Sequence, residues 1–266
     1  MGFSSQLLPG EIIINDHTRQ ESFGSPEGFG TGYQGMFRSS QSRDELTIPF
    51  PKSLYVPRAD WQGMIQEKQE RKARKSDRII QAGLKCKNQQ QTFYCWGNAP
   101  THLVEIARMD QNEPYEELSP ASVCCPINNF VNQGGYGEDA LRQLITHGAV
   151  PSRLWPSNAI DRRYYTQANM DVAKKYRVVK WYNVKPRNEE EYISCLLRDI
   201  CVANGYNWQG HETCGIEAVW IDGAIATRNR NSWSMDWPSR GAGGWYILQG
   251  NRMLPDDSVA VCSVVA

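Results

Sequence analysis

Apolar residues recur at helical spacing through the middle of the chain and give way, toward its end, to short apolar runs broken by glycine and asparagine. In "CWGNAPTHLVEIARM" the residues Trp96, Ala99, Leu103, Ile106 and Ala107 share one face, which predicts a helix starting near Cys95. Ser119 before Pro120 reads as an N-cap followed by proline at the first helical position, opening a short helix through Val123. Ala140, Leu141, Leu144 and Ile145 mark another helix, closed by Gly148. In "NEEEYISCLLRDICVANG" an apolar face of Tyr192, Ile193, Leu196, Leu197 and Ile200 follows an acidic first turn, with Gly205 past the end. Residues 61–79 read as one solvated helix in which Glu67 and Glu70 each precede an arginine by four positions. "YRVVKWY" predicts a strand over 176–182, and the alternation from Gly215 to Val265 predicts antiparallel strands. Helices gathered in the middle and strands at the end make an α+β fold with two segregated layers.

Residues 1–54 differ in kind. They are rich in Gly, Ser and Pro and read as an irregular extension ahead of a domain spanning 55–266. Such a composition buries little by itself, so the extension is expected to pack on its own domain or on a partner. The 266 residues carry 29 Lys+Arg against 29 Asp+Glu, so no global field holds nucleic acid or an anionic membrane. There is no run of about 18 apolar residues and no basic, then apolar, start, so neither a membrane span nor a signal peptide is expected. Eight cysteines include no C-x-x-C pair. His211 and Cys214 alone are too few to hold a metal, no cofactor is implied, and a reduced, cytoplasmic chain is the expectation.

Chemistry gathers around Cys95. A thiolate in the first turn of a helix feels the positive end of the dipole, and a nearby imidazole would activate it further. Of four histidines, His211 precedes "NSWSMDW" by twenty residues, where Asn231 is placed to fix an imidazole tautomer and Trp233 to cover that bond. His102 and His147 sit on helical segments, where surface or core roles are expected.

From about residue 55 the chain resembles the papain-like cysteine proteases, with the motifs in the family's order. "VPRADW" looks like the mature start, and "KNQ" followed by Cys-Trp is similar to the glutamine and nucleophile segment. "LSPASVCC", "NQGGYGEDAL", His211, and "NSWSMDW" with "GGWYIL" complete the series. The resemblance implies a two-lobed fold, with a helical lobe whose central helix carries the nucleophile against an antiparallel, barrel-like β lobe. It implies a cysteine endopeptidase acting on protein or peptide substrates. Cys95 would be the nucleophile, His211 its base, Asn231 the orienting residue and Gln89 the oxyanion donor; Gly134 and Gly135 would line the cleft, and Trp233 would shield the pair.

The chain departs from the family where cysteines are expected. Thr92 and Asn132 stand at the two ends of a usual disulfide, Cys125 lacks its partner, and Pro100 falls inside the nucleophile helix. The extension also lacks the long charged helices of the family's inhibitory segment, which suggests that residues 1–54 dock to a partner. Two alternatives follow: a docking component of a larger assembly such as a virus particle, and virion-associated in that case, or an acyl-transfer enzyme acting on a non-peptide amide.

Overall fold

The computed structural model describes residues 7–18 and 48–265. Among the described residues seven α-helices and seven strands alternate unevenly: β1 (Ile12–Ile14), α1 (Trp61–Glu70), α2 (Lys75–Gln81), α3 (Cys95–Asp110), α4 (Pro120–Ile127), α5 (Gly137–Thr146), α6 (Gln167–Ala173), β2 (Val178–Asn183), α7 (Glu189–Leu197), β3 (Val202–Tyr206), β4 (His211–Ile221), β5 (Ala224–Arg230), β6 (Trp245–Gln249) and β7 (Asp257–Val264). The strands form one sheet in the order β1-β6-β5-β4-β3-β7-β2. Every pairing is antiparallel except that of β1 with β6.

The sheet is therefore open, with β1 and β2 at its edges, and not barrel-like as the resemblance implied. Its faces separate by strand parity. On one face Ala203, Cys214 and Val259 join Trp96, Leu103 and Leu141 of the helices in the largest core cluster. On the other, Val202 and Ala260 pack with Trp61 of α1 and with Tyr192 and Leu196 of α7. The central helix α3 is buried from Cys95 to Arg108 and continues through Pro100.

Several boundaries differ from the pattern. The single helix expected over 61–79 is two, because Trp61 and Ile65 serve one core cluster while Ile79 serves the other. Lys72, at φ 52°, turns the chain between them. The helix begun at Pro120 runs past Val123 to Ile127. Gly205, expected beyond the end of α7, lies inside β3; the helix stops at Leu197, and Asp199 at φ 61° reverses the chain.

The amino-terminal residues expected to be irregular contain β1, whose three isoleucines lie along the otherwise bare edge of β6. Pro49 bridges Asn183, and Phe50 meets Tyr182 edge-on at 5.8 Å. The described parts of the extension thus pack on the chain's own sheet, and the docking role expected of it falls otherwise on residues outside the described ones. Glu11 anchors β1: Arg228 of β5, fully buried, donates from Nε to Glu11 Oε1 at 2.7 Å and from Nη2 to Oε2 at 3.1 Å. Arg228 also bonds Glu217, which accepts from the Ser76 amide and hydroxyl of α2 at 3.0 and 2.8 Å. Without Glu11 the buried Arg228 stays paired with Glu217 but loses two charge-assisted hydrogen bonds, so Glu11→Ala should lower unfolding free energy by about 2 kcal/mol. A urea titration with an unshifted midpoint would refute that role for Glu11.

Candidate active site

Gln89 is set by two neighbouring segments. Its amide donates to Ser232 O at 2.8 Å, and beside it Asn88 bridges Trp233. Its side-chain oxygen accepts from Ser232 Oγ at 2.6 Å, while Nε2 donates to Thr92 O at 3.0 Å. A carboxamide nitrogen carries two protons, so one remains for another acceptor.

Six residues on, α3 begins at Cys95 itself, and the first-turn amides of a helix point out of its end. Asn98 turns back on that turn, its Nδ2 donating to Tyr94 O at 2.7 Å. Gly97 is required here: a Cβ would stand 2.1 Å from Cys124 Sγ. Gly135 is likewise held against the ring of Trp96, 2.5 Å from where its Cβ would be, and Gly134 O accepts from Asn128 at 3.2 Å. Asn132 does by hydrogen bonds what a disulfide would do at this place. Its Oδ1 accepts from Phe93 N at 2.9 Å, and its Nδ2 donates to Gln91 O at 3.1 Å.

His211 opens β4, following a tight hairpin in which Gly210, at φ 60°, donates to Tyr206 O at 2.7 Å. Two positions after Glu212 on the same face, Cys214 Sγ donates to Ala99 O at 3.3 Å, which sets the start of β4 level with the first turn of α3. Asn231 Oδ1 accepts from Ser232 N at 2.7 Å, which fixes the orientation of its amide. The same oxygen lies 2.8 Å from His211 Nε2, so Nε2 is the protonated nitrogen and Nδ1 keeps the lone pair. Nδ1 is buried without a hydrogen-bond partner. The ring of Trp233 stacks on the imidazole at 4.7 Å and covers the bond from solvent. Burial pulls His211 down to about 4, against the opposing pull of the Asn231 bond, so the imidazole is neutral at ordinary pH.

Beneath these residues lies a buried polar network that the sequence reading missed. Glu105 of α3 pairs with Lys87, accepts from Leu118 N at 2.7 Å, and bonds His102 Nδ1 at 2.8 Å. His102 Nε2 in turn accepts from Arg230 at 3.3 Å. His102 thus donates from one nitrogen and accepts at the other, as a neutral ring does, and burial holds it down at about 4. Burial alone would raise the Glu105 carboxyl, but Lys87 and His102 outweigh it and hold it below the usual range. Lys87 stands two residues before Gln89 and Arg230 one before Asn231, so this network ties three segments of the site to one carboxylate. The signal was present as a polar stripe on a buried helix: Cys95, Asn98, His102 and Glu105 recur at i, i+3, i+7 and i+10.

Gln89, His211, Asn231 and Trp233 thus meet in one buried cluster, and Cys95 leads the central helix α3. No protein-family model and no curated protein matches the chain. Solved structures do. Xylellain, a cysteine protease from Xylella fastidiosa, is 15% identical with a TM-score of 0.60, over 91% of this chain and 97% of its own. Procathepsin B S9 from Trypanosoma congolense is 13% identical with a TM-score of 0.60, over 87% and 86%. A mite-allergen structure concerned with Blo t 1 and Der p 1 is 20% identical with a TM-score of 0.55, over 68% and 67%. The chain has the fold of the papain-like cysteine proteases.

Proposed function

We propose that the protein is a cysteine endopeptidase that hydrolyses peptide bonds through a thioester. The observation that carries this reading is the bond between His211 Nε2 and Asn231 Oδ1, which leaves Nδ1 as an unpartnered base beneath Trp233. In the proposed cycle Nδ1 takes the proton of the Cys95 thiol, and the thiolate attacks the substrate carbonyl. The developing oxyanion is held by the remaining Gln89 N–H and by the Cys95 amide at the helix start. His211 then gives its proton to the leaving amine, and afterwards takes one from the water that cleaves the thioester. Asn231 keeps the ring in one tautomer throughout, and Gly134 and Gly135 offer backbone on which an extended substrate can lie.

The full-length chain is expected to cleave members of a quenched fluorescent peptide library, and the Cys95→Ala chain to cleave none; equal turnover by both would refute the reading. Gln89→Ala should cost on the order of 3 kcal/mol of transition-state stabilisation, about a hundredfold in kcat, with KM little changed. A loss expressed only in KM would remove Gln89 from the oxyanion site.

A further inference from the structure

A cavity of about 440 Å³ lies between the end of α2, the later turns of α3 and the loop that follows them, with Glu105 in its wall. None of the four catalytic groups described above lines it, and its size suits a small organic molecule. Leu84 and Met109, which pack on the main core, give it an apolar side, and Ala82 at the end of α2 extends that side to the rim.

The charged groups around this cavity do not balance. Arg78 and Arg108 line it together with Glu105, Glu113 and Glu116. Glu105 is already taken up by Lys87, the Leu118 amide and His102, and Glu116 pairs with Arg153 at 3.3 Å. Asp110 is shared by Lys75 at 2.5 Å and Arg78 at 2.9 Å, so Glu113, at 3.3 Å, is the one ion-pair partner of Arg108 among the described residues. Lys75, Arg78 and Arg108 thus share two carboxylates. Arg108 is the worst served of the three. It is 9% exposed, its Nε is buried with no hydrogen-bond partner among the described residues, and its guanidinium lies over the ring of Tyr176 at 4.8 Å. A buried cation held by one long bond is unfavourable, and a further anion beside it would relieve that penalty.

We propose that the cavity binds a small organic acid, whose carboxylate pairs with Arg108 and whose apolar body lies on Leu84 and Met109. A guanidinium takes a carboxylate through two parallel hydrogen bonds, and the apolar side holds a hydrocarbon body that an inorganic anion lacks. The inference uses no residue of the proposed catalytic cycle, so it holds or fails apart from the peptidase reading.

Isothermal titration calorimetry on the full-length chain compares 4-phenylbutanoate with 4-phenylbutanamide, its neutral analogue, and with inorganic phosphate. The acid should bind at one site about tenfold or more tightly than either. Arg108→Gln should weaken the acid by about tenfold or more, and Cys95→Ala should leave its binding unchanged. Equal binding of acid and amide, acid binding untouched by Arg108→Gln, or no binding of the acid overturns the proposal. Phosphate binding as tight as that of the acid overturns it too, because the apolar side then selects nothing, and loss of binding in Cys95→Ala would place the acid in the active site instead. Should Arg108→Gln fail to fold, Ala82→Trp is read in its place. Position 82 is exposed, so an indole there fills the cavity without entering the core, and acid binding that survives it overturns the proposal.

Discussion

Cys95→Ala and His211→Ala should each lower peptide hydrolysis by about 10⁴-fold or more, because nucleophile and base act as one unit and neither is useful alone. Cys95→Ala removes one sulfur atom and should leave the near-ultraviolet dichroism intact, so its loss of activity cannot be assigned to unfolding. The pH dependence of alkylation at Cys95, followed by mass spectrometry, gives a sharper reading of the pair. An ordinary thiol with pKa near 8.5 is only about one part in a thousand thiolate at pH ~5.5. His211, lowered by burial to about 4, is neutral at that pH, and a base this weak holds the proton of a thiol only where thiolate and imidazolium stabilise each other as a pair. Such a pair makes labelling persist through pH ~5.5 and fall at lower pH, as the thiolate takes up a proton. In His211→Ala it should appear only above pH ~8. If Cys95 labels only at alkaline pH in both chains, no proton-accepting pair exists.

Glu105→Ala should be the most destabilising single change near the site, by about 3–5 kcal/mol. It strands the Lys87 ammonium, leaves the Leu118 amide without its acceptor, and frees His102 from the bond that sets its tautomer. For a chain of this size the melting temperature should fall by roughly 10 °C. Glu105→Gln keeps an acceptor and the shape but not the charge, and should recover part of the loss. The network acts on catalysis only through Gln89 and Asn231, so in the folded Gln variant kcat should fall more than KM rises. A melting temperature within about 2 °C of the parent for Glu105→Ala would show that Lys87 and Arg230 are held by other means.

How much of this was legible depends on which residues decide each element. Helices α3, α5 and α7 each bury one continuous apolar face, and their periodicity declares them. Strand β1 is three isoleucines without alternation; what makes it a strand is the edge of β6, which lies far away in sequence. The turn between α1 and α2 has neither glycine nor proline, and two separate cores pulling on Ile65 and Ile79 leave no local mark. At the site, Cys95, His211, Asn231, Gln89 and Trp233 could be named because motifs carry them in order. Glu105 and Arg230 could not, since a charge in a helix reads as solvated until the helix is known to be buried on all sides.

The pairing of β1 with β6 also bears on how the protein matures in the cell. Arg228 lies 217 positions from Glu11, and the strand that receives β1 is later still. A ribosome adding about 5–20 residues per second needs roughly 10–40 s to span that interval. During that time Ile12, Ile13 and Ile14 have no strand to join, and they emerge before any of the domain they complete. Docking of this first-made strand is thus among the last events of folding, and a bulky tag fused just ahead of it would interfere there.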